Sequence, residues 1–151
     1  MTDQATGLLN RTAYNAFLLQ NRSHTLPLAC CAYIDVNGLH ELNNRMGHAA
    51  GDRMLQRVAD CLREQFAPEC IYRIGGDEFV MLTAEGLSRT DCGQKIRQVQ
   101  KDLAQDGYSI AYGIAVREQE KGLDRVVEEA DEAMLENKKQ YYAARTQRAP
   151  R

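Results

Sequence analysis

The sequence predicts an α+β fold in which an antiparallel sheet is flanked by helices, in the order helix, β-α-β-β-α-β, helix. Three observations predict it. Leu26 to Val36 ("LPLACCAYIDV") is a near-continuous apolar run ending in a carboxylate, which fits a strand buried on both faces. Two short apolar runs, "CIYRI" and "EFVMLT", meet across Gly75-Gly76, a hairpin signal. The segments between and after the strands repeat apolar residues at helical spacing.

The first element, "RTAYNAFLLQNR", reads as a helix with Thr12 as N-cap and Tyr14, Phe17 and Leu18 on one side; "HTLP" breaks it. After the first strand, "LHELNNRM" is a short helix between Asn-Gly and Gly-His punctuation. From Asp52 to Phe66, the residues Leu55, Val58, Ala59, Leu62 and Phe66 make a helical stripe that Pro68 ends. The hairpin follows. Cys92, Ile96, Val99 and Leu103 mark a helix from Ser88 to Gln105, closed by Gly107. "YSIAYGIAV" is the last strand. Leu123, Val127, Ala130, Met134 and Tyr141 mark a final amphipathic helix, whose Met and Tyr residues read as packing. The middle of this order is the ferredoxin-like split βαβ unit, which sets the first and third strands side by side at the centre.

Bulk properties narrow the class. The 151 residues make one domain, 1–151, long enough to bury a core, with a basic, frayed tail over 145–151. The apolar fraction of 44% and the charged fraction of 26% are those of a soluble globular protein. A formal charge of −2 gives no global electrostatic case for nucleic acid or membrane surfaces. No run is long enough to span a bilayer, and the N-terminus lacks a signal-peptide pattern. Five cysteines with no C-x-x-C, mostly on apolar faces, read as reduced core thiols of a cytoplasmic protein.

The predicted strand order brings Asp35, at the end of the first strand, close to Asp77 and Glu78 in the hairpin. Adjacent carboxylates repel unless one gains a proton or a cation sits between them. Oxygen ligands of this kind suit Mg²⁺, which shares itself readily with substrate phosphates; two such ions activate an attacking hydroxyl and stabilise a phosphoryl leaving group. Gly75 and Gly76 let the backbone approach a bulky ligand. The loop Val36-Asn37-Gly38 can turn N–H groups toward phosphate oxygens. Taken singly, a Gly-Gly-Asp hairpin fits a plain turn equally well, and Asp35 fits a loop cap.

These residues resemble a known family. "RIGGDEF" carries the signature of the GGDEF, or diguanylate cyclase, domain. "DQATGLLNR" resembles the family's entry motif, with Ala5 in place of Leu. "YIDVNGLHELNNRMGHAAGDRML", "SIAYGIA" and "EEADEAMLENKKQ" resemble its later motifs in order, so the likeness covers nearly the whole chain. The resemblance implies a nucleotidyl-cyclase, palm-type fold that binds one GTP per domain. It implies two domains meeting face to face as a transient homodimer, with each GTP 3′-hydroxyl attacking the α-phosphate of the other. Cyclic di-GMP and two pyrophosphates result. By position, Asp35, Asp77 and the Val36 carbonyl would hold Mg²⁺, with Mn²⁺ as an alternative. Glu78 would be a further metal ligand or assist deprotonation of the hydroxyl. Asn43 and Asp52 would hydrogen-bond guanine, Lys138 would reach the terminal phosphates, and Gly38 and Leu39 would lend backbone N–H groups to them.

The chain departs from the family pattern at several points. His40 stands where a Lys is usual and Tyr142 where an Arg is common, which implies weaker GTP binding and leaves a catalytically weak GTP-binding or dimerising regulatory module as the alternative function. Lys139 and Arg145 are the cations available to compensate. Asn37 and Asn44 replace Asp residues with little expected effect. Phe66 and Glu69 occupy the two key positions of the family's R-x-x-D product-inhibition site, so the primary feedback site is expected to be absent. His48 reads as a helix-start residue; Arg73 either pairs with a carboxylate or acts across a dimer. The entry motif begins at residue 3, which suggests a catalytic domain excised from a longer sensor protein or dependent on a separate partner, and slow as a monomer.

Overall fold

The computed structural model describes residues 1–21, 29–83, 86–117 and 122–148. Its elements are α1 (Arg11–Asn21), β1 (Cys30–Val36), α2 (Leu39–Met46), α3 (His48–Gln65), β2 (Ile71–Arg73), β3 (Glu78–Thr83), α4 (Arg89–Ala104), β4 (Ile110–Val116) and α5 (Leu123–Arg148). The four strands form one antiparallel sheet in the order β2-β3-β1-β4, so the first and third strands are central neighbours, as the split βαβ reading expects.

Alternation along β1 divides the molecule, because successive strand side chains point to opposite faces. Cys30, Ala32, Ile34 and Val36 enter an apolar core with Phe79 and Met81 of β3, Val58 and Leu62 of α3, and Ile96 and Val99 of α4. Cys31 turns to the other face, where Val80 and Leu82 meet Tyr14 of α1 and Leu123, Val126 and Ala130 of α5; Tyr33 packs against the same cluster. All five cysteines are free thiols, four of them buried.

Several boundaries differ from the sequence reading. The side chain capping α1 is that of Asn10, not Thr12: its Oδ1 accepts from the Ala13 N–H at 3.0 Å. Helix α3 starts at His48 rather than Asp52, because Gly47, at φ 89°, makes the break between α2 and α3. His48 is therefore the helix-start residue expected of it. Ser88 caps α4 by accepting from the Asp91 N–H at 3.0 Å. Helix α5 continues to Arg148, into the segment read as a frayed tail. The "HTLP" break, and the first residues of the apolar run before Ala29, lie outside the described residues.

Candidate active site

The site forms where β1 ends and the β2–β3 turn begins. Asp35 and Glu78 are direct cross-strand partners in the β1–β3 register. The Val36 N–H donates to the Asp77 carbonyl at 2.8 Å, which fastens the turn to β1. One ligand oxygen from each of Asp35, Asp77 and Glu78 lies within 4.8 Å of the other two. Like charges placed directly opposite on a sheet are destabilising. Asp35 is moreover only 3% exposed.

A single ammonium offsets part of this repulsion. Lys138, on α5, donates to Asp35 Oδ2 at 2.9 Å. The other oxygen, Asp35 Oδ1, is buried without a hydrogen-bond partner among the described residues. Burial raises the Asp35 carboxyl to about 6; the Lys138 hydrogen bond opposes the rise and the Asp77 charge adds to it. The same hydrogen bond raises the Lys138 pKa. Glu78 has a different anchor: the Tyr33 hydroxyl donates to its Oε2 at 2.7 Å. Burial and then this hydrogen bond hold the Tyr33 hydroxyl well above its ordinary value, so it remains a donor.

The hairpin is braced from outside. Arg73 donates to both oxygens of Asp3 at 3.0 Å and to the Gly76 carbonyl at 2.7 Å. Arg11 donates to the Ile74 carbonyl at 2.8 Å. Burial would raise the Asp3 carboxyl, but hydrogen bonds from Thr6 and Arg73 outweigh it and hold Asp3 below its ordinary value. Of the two readings of Arg73, pairing with a carboxylate is the one seen. Neither turn glycine has a positive φ. A Cβ on Gly76 would meet nothing within 4 Å. Nothing in the chain's own packing therefore demands glycine there, and the space above the turn is open for a ligand.

The remaining sequence candidates lie on α2, α3 and α5. Gly38, at φ 77°, turns the chain from β1 into α2, with Leu39 as the first helical residue. Asn43 points at α3: a Cβ on Gly51 would sit 1.8 Å from Asn43 Oδ1, an atom buried without a partner. Asp52, the next residue, is exposed. His40 Nε2 lies 3.2 Å from the Asn44 amide nitrogen, within its own helix. Tyr142 is 39% exposed, against the expectation of packing, and stacks edge-on with Tyr141. Arg145 reaches Glu41 of α2 at 3.3 Å and lies over the Tyr141 ring. Phe66 turns into the core and is 7% exposed. With Glu69 it lines a largely apolar cavity of about 470 Å³ beside Thr83, at the opposite end of β3 from Glu78.

Sequence reasoning missed Tyr33, Asp3 and Arg11. Tyr33 was detectable: it precedes Asp35 by two residues and so shares its strand face. Asp3 and Arg11 are the first and last residues of the entry motif "DQATGLLNR", but the motif does not reveal their partners, Arg73 and the Ile74 carbonyl, which only the fold brings near.

A family model, diguanylate cyclase, GGDEF domain, matches residues 1–143. The chain belongs to the GGDEF family. Among its relatives, a cyclic di-GMP phosphodiesterase, PdeB of Shewanella oneidensis, is 42% identical over 84 residues, 55% of this chain and 10% of the relative. Diguanylate cyclase DgcN of Escherichia coli is 29% identical over 150 residues, 91% of this chain and 37% of the relative. These alignments thus span well under half of either protein. The isolated GGDEF domain of TpbB from Pseudomonas aeruginosa superposes with a TM-score of 0.78 at 28% identity, over 93% of this chain and 90% of that one. That of DgcB from Caulobacter crescentus gives 0.80 at 23% identity, over 92% and 90%, a likeness of fold. The palm-type cyclase fold is therefore that of this chain. Among the described residues, no helix is long and apolar enough to cross a membrane.

Proposed function

We propose that this domain is a diguanylate cyclase that condenses two GTP molecules into cyclic di-GMP and two pyrophosphates at the interface of two copies. The observation that carries the reading is the convergence of Asp35, Asp77 and Glu78 oxygens within 4.8 Å, beneath an open turn, in a GGDEF chain. In the reaction, each 3′-hydroxyl oxygen forms a bond to the α-phosphorus of the other GTP. The bond from that phosphorus to the leaving pyrophosphate breaks, and the hydroxyl proton passes to a base. Glu78, beside the turn, is the side chain assigned to assist that transfer or to serve as a further ligand.

The donor set fits a hard divalent cation. It is all oxygen, and the buried Asp35 Oδ1 has no hydrogen-bond partner among the described residues. Asp35, Asp77, Glu78 and the Val36 carbonyl would hold Mg²⁺, or Mn²⁺ in its place. A bound cation of this kind supplies charge to the phosphate oxygens and lowers the proton affinity of the hydroxyl. The chain's own groups do the rest. The Asp52 carboxylate accepts from guanine N1–H and N2–H₂, a pattern adenine lacks, with Asn43 beside it. Lys138 exchanges Asp35 for the terminal phosphates. Gly38 and Leu39 offer N–H groups at the start of α2. The relatives extend well beyond the GGDEF domain, which supports control by a sensor in the same protein or a separate one.

A second reading, a GTP-binding regulatory module with little turnover, draws on two residues. His40 engages Asn44 in its own helix, and Tyr142 brings no positive charge. The test is to fuse the full chain to a dimerising coiled coil, supply GTP and Mg²⁺, and identify the product by chromatography and mass. Cyclic di-GMP is the expected result. GTP binding without turnover selects the regulatory module; no GTP binding contradicts both readings.

A further inference from the structure

The two strand carboxylates of the cluster are held differently. Asp35 is pinned by an ammonium from α5. Glu78 is pinned by a neutral hydroxyl from β1, which occupies one lone pair of Oε2 and adds no charge. Tyr33 is itself positioned by packing against the cluster that includes Tyr14, Tyr72 and Val80. With Oε2 accepting from Tyr33 at 2.7 Å, Oε1 is the oxygen that keeps both of its lone pairs for a ligand. Hydrogen bonds of this type orient a ligating carboxylate.

We infer that Tyr33 is a specificity-determining residue for the cation: by engaging Glu78 Oε2 it biases Glu78 toward one-oxygen coordination, favouring Mg²⁺-sized ions over Ca²⁺. The chemistry follows from ion size. Mg²⁺ demands near-octahedral single-oxygen ligation, whereas Ca²⁺ gains from carboxylates that chelate with both oxygens. Freed from Tyr33, Glu78 can rotate to present both oxygens. The inference rests on the cation-site reading above and adds a residue that touches neither cation nor nucleotide.

The experiment titrates the full chain with Mn²⁺, a spectroscopic stand-in for Mg²⁺, by electron paramagnetic resonance without nucleotide, using Ca²⁺ as competitor. Wild type, Tyr33→Phe and Asp35→Asn are compared, with thermal melting of each. Tyr33→Phe keeps the ring and its packing. It is expected to melt like wild type and bind Mn²⁺ within about threefold, while Ca²⁺ displaces Mn²⁺ about tenfold more readily, the scale of one hydrogen bond to a charged group. An unchanged Ca²⁺-to-Mn²⁺ ratio, or equal loss of both ions, overturns the inference. The third protein separates the two claims. Loss of Mn²⁺ from Asp35→Asn upholds the cation site whatever Tyr33→Phe does. Mn²⁺ binding that ignores Asp35→Asn, or is absent from wild type, overturns site and inference together.

Discussion

The two faces of the sheet differ in a way that one strand makes plain. On the α3/α4 face, β1 contributes Cys30, Ala32, Ile34 and Val36, all at most 2% exposed and all apolar. On the α1/α5 face, the alternate residues run Cys31, Tyr33, Asp35, from core thiol to amphipathic phenol to buried carboxylate. Along β1 the first face is apolar from end to end. The second is a core at one end and a charged site at the other. Asp35 tolerates burial only because Lys138 arrives from α5, and Glu78 is steadied by Tyr33 from the neighbouring strand. The proposed site thus lies where one sheet face runs out of hydrophobic cover, while the opposite face carries the stability needed to keep like charges together.

Mutations on either face should separate stability from chemistry. The largest effect is expected on the apolar face: Phe79→Ala removes a ring with no exposed surface, so urea unfolding should show a loss of about 3–5 kcal/mol. On the charged face, Lys138→Met leaves the buried Asp35 without its ammonium and should lower stability by a smaller amount, about 1–3 kcal/mol. It should weaken GTP binding, measured calorimetrically, by about thirtyfold, the scale of a lost charge-assisted contact. A Lys138→Met protein that binds GTP normally would remove Lys138 from the phosphate site.

The smallest effect sharpens the same contrast through pH. In the fold, burial raises Asp35 from its ordinary 3.8 to about 6. Between those values the folded chain retains a proton that the unfolded chain has released, so ionisation of Asp35 disfavours the fold. In excess chelator, wild-type stability should therefore fall relative to Asp35→Asn as pH rises from about 4 to about 7, by on the order of 1 kcal/mol. A difference that stays flat across that window would mean that Asp35 is not desolvated in solution.

Much of this contrast was legible in the sequence. The apolar run into Asp35, the glycine turn before Asp77 and the helical stripes gave the strand order, and the strand order brought the carboxylates together. Periodicity succeeds there because burial on a sheet face is a repeating constraint. It fails for the groups that brace the site. Asp3 and Arg73 are 70 positions apart and meet only through the fold. The cap of α1 was displaced from Thr12 to Asn10 because both residue types suit the position, and backbone geometry alone decides. Arg145, read as part of a frayed tail, lies on a helix that continues far enough to reach Glu41.

The central claim is that the charged end of the α1/α5 face performs the condensation while the opposite face holds the fold. It is tested most directly with Asp77→Ala in the coiled-coil-dimerised chain, following cyclic di-GMP formation and thermal melting on the same sample. The account predicts that product formation falls by about a thousandfold or more while the melting transition stays within a few degrees of wild type. Cyclic di-GMP produced at the wild-type rate by a folded Asp77→Ala protein would contradict it.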